Sequence, residues 1–274
     1  MDNRPIGVFD SGVGGLTAVR ELHKILPGED IIYFGDTGRV PYGSRSRETL
    51  RLYAAQIISF LRGRDVKAIV VACGSISTNF AGETLTHDIP CVTVLGPTLR
   101  DASQKSENRR VGVLATAAAI RTGAYESGLR NMHPDMKVLG QACPLLVPII
   151  ENGLTDFDNQ IVRLTLEMYL RPVIDFGADT IILGCTHYPL LSHIMLDMLG
   201  EKISLIDAGA SAARELKRIF EQESEGKLLA DRKTGNTAYY VTDSPESFAS
   251  TAKLFLEQDI TAQAHLVGLE TLEC

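Results

Sequence analysis

The chain is predicted to be an α/β protein made of two similar open parallel-sheet domains facing a central cleft, and three observations predict it. Short β-branched runs alternate with stretches whose apolar residues recur at helical spacing, the pattern of βαβ units and parallel sheets. Two of those runs, IVVACGS at 69–75 and DTIILGCTHYPLL at 179–191, reach a cysteine flanked by small or polar residues. The strand-to-turn segments GVFDSG and GVLATA also echo one another: Gly7 and Gly112 lie about 105 residues apart, and Cys73 and Cys185 about 112, each near the length of one small α/β domain. The second cysteine run organises the rest. An apolar strand that breaks at Gly184-Cys185-Thr186-His187, ahead of Pro189, carries its last residues to the loop before a helix, where α/β sheets hold their chemistry.

Residues 5–9 form a short apolar strand running into the turn Asp10-Ser11-Gly12-Val13-Gly14-Gly15, and Leu16, Val19 and Leu22 mark the helix behind it. Such glycines let backbone N–H groups approach an anion at the helix N-terminus, although the turn has neither the GxGxxG nor the GK[ST] pattern, and either Asp10 or Ser11 suits an N-cap. A strand at 30–34 opens on the loop GDTGRVPYG at 35–43, long enough and rich enough in Gly and Pro to be a ligand contact. A helix over 46–61, expected to turn Thr49, Leu52, Tyr53, Ile57 and Phe60 inward, leads to the strand of Cys73. A helix over 75–85 and a strand over 91–95 follow, the strand stopping at Gly96-Pro97.

The second half starts afresh with a strand at 109–115, a helix at 122–130 and a strand at 137–141. An apolar turn at 143–148 leads to Glu151-Asn152-Gly153, and a helix over 157–176 is kinked or ended by Pro172. After the organising strand come a strand at 204–207 and a helix at 212–223; a strand at 238–242 and a helix at 245–256 return the chain to the first half. The expected division is 1–97 plus 208–274 on the Cys73 side and 98–207 on the Cys185 side.

With 45% hydrophobic and 22% charged residues the chain has the composition of an ordinary globular protein. A net charge of −7 without a local basic patch argues against nucleic acid and anionic membranes as partners. The opening MDNRPIGVFDSG has no basic region followed by an apolar stretch, and no run approaches the ~18–20 apolar residues that span a bilayer, so the cytoplasm is the expected compartment. There the five cysteines stay reduced. No CxxC or HxxxH spacing occurs, and neither a metal nor a cofactor is expected.

A thiol becomes a good base once its pKa is lowered by a helix N-terminus or a hydrogen-bonded partner. One Cys with one His suggests nucleophilic catalysis, whereas here each half offers a Cys of its own. If the halves face each other, a carbon acid between the thiols can lose a proton to one face and regain it on the other, which is stereoinversion without a cofactor. His187, two residues past Cys185, and Asp10, on a neighbouring strand end, are the groups placed to assist Cys185 and Cys73. Cys91, Cys143 and Cys274 are expected to be structural, since free Cys is among the most buried residue types.

The run GVFDSGVGGLTAVREL, the loop GDTGRVPYGSRSRETL, the segment QACPLLVPIIENG and the motif LGCTHYPLL together resemble the glutamate racemases, of the cofactor-independent aspartate/glutamate racemase superfamily. The resemblance implies interconversion of L- and D-glutamate, supplying D-glutamate for peptidoglycan, with Cys73 and Cys185 as opposed acid/base thiols and a homodimeric assembly. It places substrate contacts on Asp10, Ser11, Pro41, Tyr42, Gly43 and Thr186, and pairs Glu151 with His187. The family motif Cys-Asn-Thr is replaced by Cys73-Gly74-Ser75, and a family threonine by Ala119, while Thr116 remains. Gly74 and Ala119 are therefore expected to enlarge the space beside Cys73, where Ser75 still offers a hydroxyl. Two alternatives stand beside this reading: a diverged racemase or isomerase with another acidic substrate, and a non-catalytic binding or regulatory protein on the same fold.

Overall fold

The structure is a computed structural model that describes residues 1–200, 202–223 and 225–272 of the chain; Cys274 lies outside the described residues. The first half runs β1 (Ile6–Asp10), α1 (Leu16–Ile25), β2 (Ile31–Gly35), α2 (Arg47–Arg62), β3 (Ala68–Val71), α3 (Gly74–Asn79) and β4 (Cys91–Thr93). After α4 (Leu95–Lys105), the second half runs β5 (Arg110–Ala115), α5 (Ala117–Arg121), α6 (Ala124–Met132), β6 (Lys137–Ala142), α7 (Leu146–Glu151), α8 (Gln160–Asp175), β7 (Thr180–Leu183), α9 (Ser192–Leu199) and β8 (Ser204–Asp207). The chain closes with α10 (Ala208–Arg218), β9 (Thr237–Val241), α11 (Pro245–Leu256) and β10 (Ala264–Leu266).

These strands form two parallel sheets, one of six strands in the order β10-β9-β2-β1-β3-β4 and one of four in the order β6-β5-β7-β8. β1 to β4 and β5 to β8 follow the same spatial order, so the two halves are alike, as the echoed segments predicted. In each, the winding reverses once, between β1 and β3 and between β5 and β7. Such a reversal opens a crevice beyond the carboxyl ends of the strands, where ligands bind. The register sets Phe9 opposite Val71 and Leu114 opposite Leu183, so the chain leaves toward Asp10 and Cys73 from one crevice and toward Thr116 and Cys185 from the other.

The central strands β1, β3, β5 and β7 are buried on both faces, as the middle of a covered parallel sheet must be. One core cluster packs Leu61, Val66, Ile69 and Val71 under α2, and another packs Leu95, Leu99, Ala102 and Leu129 on the second sheet. A third is shared: it joins Leu16, Val19 and Leu22 of α1 to Ala212 and Leu216 of α10 and to Leu166 and Leu170 of α8. The two sheets are thus welded through a common core.

Several boundaries differ from expectation. Position 97 falls inside α4, because Pro97 occupies the first turn, where a missing N–H costs nothing. The buried face of α2 is Leu50, Ala54, Ile57, Ile58 and Leu61; Leu52 is exposed, and Thr49, Tyr53 and Phe60 are half-buried. α3 stops at Asn79, whose side-chain amide turns back to the Ser75 carbonyl at 2.8 Å. α8 starts at Gln160, capped by Asn159 Oδ1, and Pro172 sits in its last turn, with the helix running on to Asp175. α10 starts at Ala208 because Asp207 Oδ1 accepts the Gly209 and Ala210 N–H groups at 2.8 and 3.0 Å. The stretch expected to be an apolar turn contains the start of α7, and α5 and β10 were not anticipated. Among the described residues no helix is long and apolar enough to cross a membrane.

Candidate active site

A cleft of about 510 Å³ lies between the carboxyl ends of the two sheets. Its wall contains Asp10, Ser11, Pro41, Tyr42, Gly43, Cys73, Gly74, Ser75, Thr116, Glu151, Cys185, Thr186 and His187, so the candidate catalytic and substrate-contact residues read from the sequence, Ala119 apart, are brought to one place. Cys143, expected to be structural, also lines it, together with Val40, Ala117, Pro144, Val147 and Pro148. Cys143 is nonetheless buried, its thiol turned to the Gln141 carbonyl at 3.4 Å and pushed up to about 12 by burial and by Cys185. The apolar, proline-rich CPLLVP segment was the only sequence sign of this wall.

The first half supplies one thiol and its loop. Cys73 is the N-cap of α3, buried beside Asp10 and Ser11. Burial, then the Asp10 charge, pushes its thiol well above the usual range, although the Ile76 and Ser75 N–H groups and the Ser11 hydroxyl favour the thiolate. Asp10 is 2% exposed, its Oδ2 accepting the Gly15 N–H at 2.9 Å. The loop carrying Pro41, Tyr42 and Gly43 is anchored by Asp36, a fully buried carboxylate that was not singled out from the sequence. Asp36 accepts from Arg39 Nε at 2.6 Å, from Thr242 Oγ1 at 2.8 Å and from the Tyr42 hydroxyl. The loop's shape is therefore tied to the end of β9, which no local pattern reveals.

From the second half, Cys185 follows β7 and meets His187 Nδ1 at 3.8 Å, while His187 Nε2 and Glu151 Oε1 are 2.8 Å apart. The imidazole also packs edge-on against Phe255 of α11, with ring centroids 5.4 Å apart. Burial opposes charge on this ring, but the hydrogen bonds to Cys185 and Glu151 outweigh it and raise His187 from 6.5 to about 10. The folded protein thus holds that proton more tightly than the unfolded chain. The stabilising contribution is complete below pH 6.5 and is lost as pH climbs toward 10. Thermal melts over that window are expected to fall more steeply for the wild type than for His187→Gln; parallel curves would remove the assigned linkage.

Two hydrogen bonds join the halves at the floor of the cleft. Thr186 Oγ1 donates to Asp10 Oδ2 at 3.4 Å, and Thr17 Oγ1 donates to the Thr186 carbonyl at 2.8 Å. Thr116 caps α5 by accepting the Ala119 N–H at 3.2 Å, which leaves its hydroxyl hydrogen free to be donated.

The sequence model of the Asp/Glu/hydantoin racemase family matches residues 6–216. The chain belongs to this family. A glutamate racemase of Geobacter metallireducens is 44% identical over 259 residues, 93% of this chain and 94% of its own. A crystal structure of a glutamate racemase of Bacillus anthracis superposes with a TM-score of 0.90 at 34% identity, covering 98% of this chain and 99% of that one. The glutamate racemase of Francisella tularensis in complex with D-glutamate gives a TM-score of 0.88 at 38% identity, covering 99% and 100%. The chain is accordingly an amino-acid racemase, an isomerase, on the two-sheet α/β fold.

Against this racemase family, the region around the first thiol corrects one expectation. Position 74 is not open space, because a Cβ there would lie 2.7 Å from the Gly184 carbonyl oxygen across the cleft. Ala119 is 1% exposed and packs in the second half's core, outside the cleft wall. Neither replacement enlarges the space beside Cys73. Ser75 does line the wall, as expected. Among the described residues of that wall the charged side chains are Asp10, Glu151 and His187, so a carboxylate bound there is met mainly by hydroxyls and backbone N–H groups.

Proposed function

We propose that this racemase interconverts L- and D-glutamate without a cofactor, using Cys73 and Cys185 as the two acid/base thiols. The observation that carries the reading is that both sulfur-bearing residues stand at the winding reversals of their sheets and line one cleft. A thiolate on one face takes the Cα proton; the electrons left on Cα are delocalised into the adjacent carboxyl group; the thiol on the other face returns a proton, and the configuration inverts. Asp10 and Ser11 serve the Cys73 side, and His187, held by Glu151, serves the Cys185 side. The hydroxyls of Ser11, Ser75, Thr116 and Thr186 and the loop of Pro41, Tyr42 and Gly43 hold the substrate. The glutamate racemases similar to this chain support the choice of substrate. The division into 1–97 plus 208–274 and 98–207 gives each half one thiol, with the seam inside α4, and the product D-glutamate feeds peptidoglycan, as the family resemblance implies.

In deuterium oxide, either enantiomer of glutamate is expected to gain deuterium at Cα while its optical rotation decays. Folded protein that produces neither change ends the proposal. Gly74 and Ser75 favour a second reading, a racemase for another acidic substrate, and running the same assay on aspartate and related amino diacids separates the two. Faster turnover of one of those than of glutamate decides for the second.

A further inference from the structure

The strand end that carries Cys185 is pressed against two glycines of the first half. A Cβ on Gly14 would lie 2.2 Å from Thr186 Oγ1 and 2.5 Å from His187 Nδ1, and a Cβ on Gly74 would lie 2.7 Å from the Gly184 carbonyl oxygen. All are well inside the ~3.5 Å at which non-bonded heavy atoms come to rest. What can yield differs between the two. Near Gly14 the neighbours are side chains, whereas near Gly74 the neighbour is backbone.

That backbone is held by its own half. The Gly184 N–H donates to the Leu114 carbonyl at 2.7 Å, and the Gly184 carbonyl accepts the Tyr125 hydroxyl at 3.4 Å. The rear of Gly184 is filled as well, since a Cβ on it would lie 2.7 Å from the Tyr125 oxygen and 3.0 Å from the Ala115 methyl. Gly184 is thus hemmed in by its own half, so a side chain at 74 is accommodated by moving α3 away from the second half. Cys73 is the N-cap of α3 and moves with it.

We propose that Gly74 sets how closely the two thiol-bearing strand ends close on the substrate, and is a positioning residue for inversion; this rests on the two-thiol reading above. Inversion needs both sulfurs within reach of one carbon at once, so its rate depends on the gap between the strand ends. A one-sided reaction does not have that requirement. Elimination from β-chloroalanine is such a reaction: one thiolate takes the Cα proton, the C–H electrons form the Cα–Cβ double bond and chloride leaves. The 2-aminoacrylate released then hydrolyses to pyruvate and ammonium.

The test is Gly74→Ala in the full chain, assayed for both reactions. The racemisation kcat is expected to fall ~10- to 100-fold, as for other sub-ångström to 1 Å misplacements. The glutamate KM and the elimination rate are expected to change by less than ~threefold, the split that separates positioning from loss of fold. Adding Tyr125→Phe removes the hydroxyl that holds the Gly184 carbonyl, freeing it to shift, and should restore part of the racemisation rate. If Gly74→Ala does not fold, the double variant carries the comparison, its ratio of racemisation to elimination being lower than that of Tyr125→Phe alone. Wild-type racemisation in Gly74→Ala, or a proportional fall of both reactions in folded protein, overturns the proposal. Failure of the two-thiol reading is distinct: it appears as racemisation that survives loss of a thiol in the parent chain.

Discussion

Cys73→Ser and Cys185→Ser are each expected to lower kcat for glutamate racemisation by ~10³-fold or more, because a hydroxyl neither ionises near neutral pH nor accepts a carbon-bound proton readily. Each thiol lines the same cleft from its own sheet, so neither can stand in for the other on the opposite face of Cα. The diagnostic lies in what survives. With Cys185 intact, Cys73→Ser should still eliminate chloride from one enantiomer of β-chloroalanine, and Cys185→Ser from the other. Two variants that prefer the same enantiomer would contradict the two-sided arrangement, and a variant that racemises normally would remove its cysteine from the chemistry. Melting temperatures serve as the control, since a Ser at either position is smaller by little and leaves the backbone bonds of α3 and β7 untouched.

Asp10→Asn is expected to reduce kcat by ~10²-fold, the scale of one misplaced acid/base partner. The substitution keeps the shape and an oxygen for the Gly15 N–H, now 2.9 Å from Asp10 Oδ2, so the turn into α1 survives. What it removes is the negative charge that, after burial, does most to hold Cys73 as a thiol. The Cys73 thiol of the variant should therefore titrate at a lower pH than in the parent chain. Alkylation of Cys73 across a pH series, followed by peptide mass spectrometry, reads that shift directly. An unchanged kcat would show that Asp10 serves only the turn before α1, and a titration displaced upward would contradict the assigned effect of its charge on Cys73.

The strands and both thiols were legible because each β-branched run is bounded by Gly, Pro or a small polar cluster, and because Cys73 and Cys185 repeat at an interval that matches one domain. Parallel sheets bury both faces of a strand, which writes an unbroken apolar run into the sequence. The shorter pieces α5, α7 and β10 span too few residues to display a period, and Pro97 marked a turn to the reader although a first helical turn accepts it equally well. The inward face of α2 was misjudged for a related reason: its apolar residues nearly encircle the helix, and only the packing partner decides which of them are buried.

Residue types by themselves determined the two-sheet class, the paired thiols and most of the cleft wall, since chemistry-bearing side chains at strand ends are local features of the chain. Tertiary structure alone decided the electrostatics and the clearances. Asp10 opposes ionisation of Cys73, and His187 is lifted by Cys185 and Glu151, because those groups share a poorly solvated space. Asp36 anchors the loop of Pro41, Tyr42 and Gly43 through Thr242, far away in the sequence. Gly74 had the look of a missing contact that widened the site, yet folding brings the Gly184 carbonyl against it, because excluded volume between two halves depends on how they dock and not on which residue either one carries.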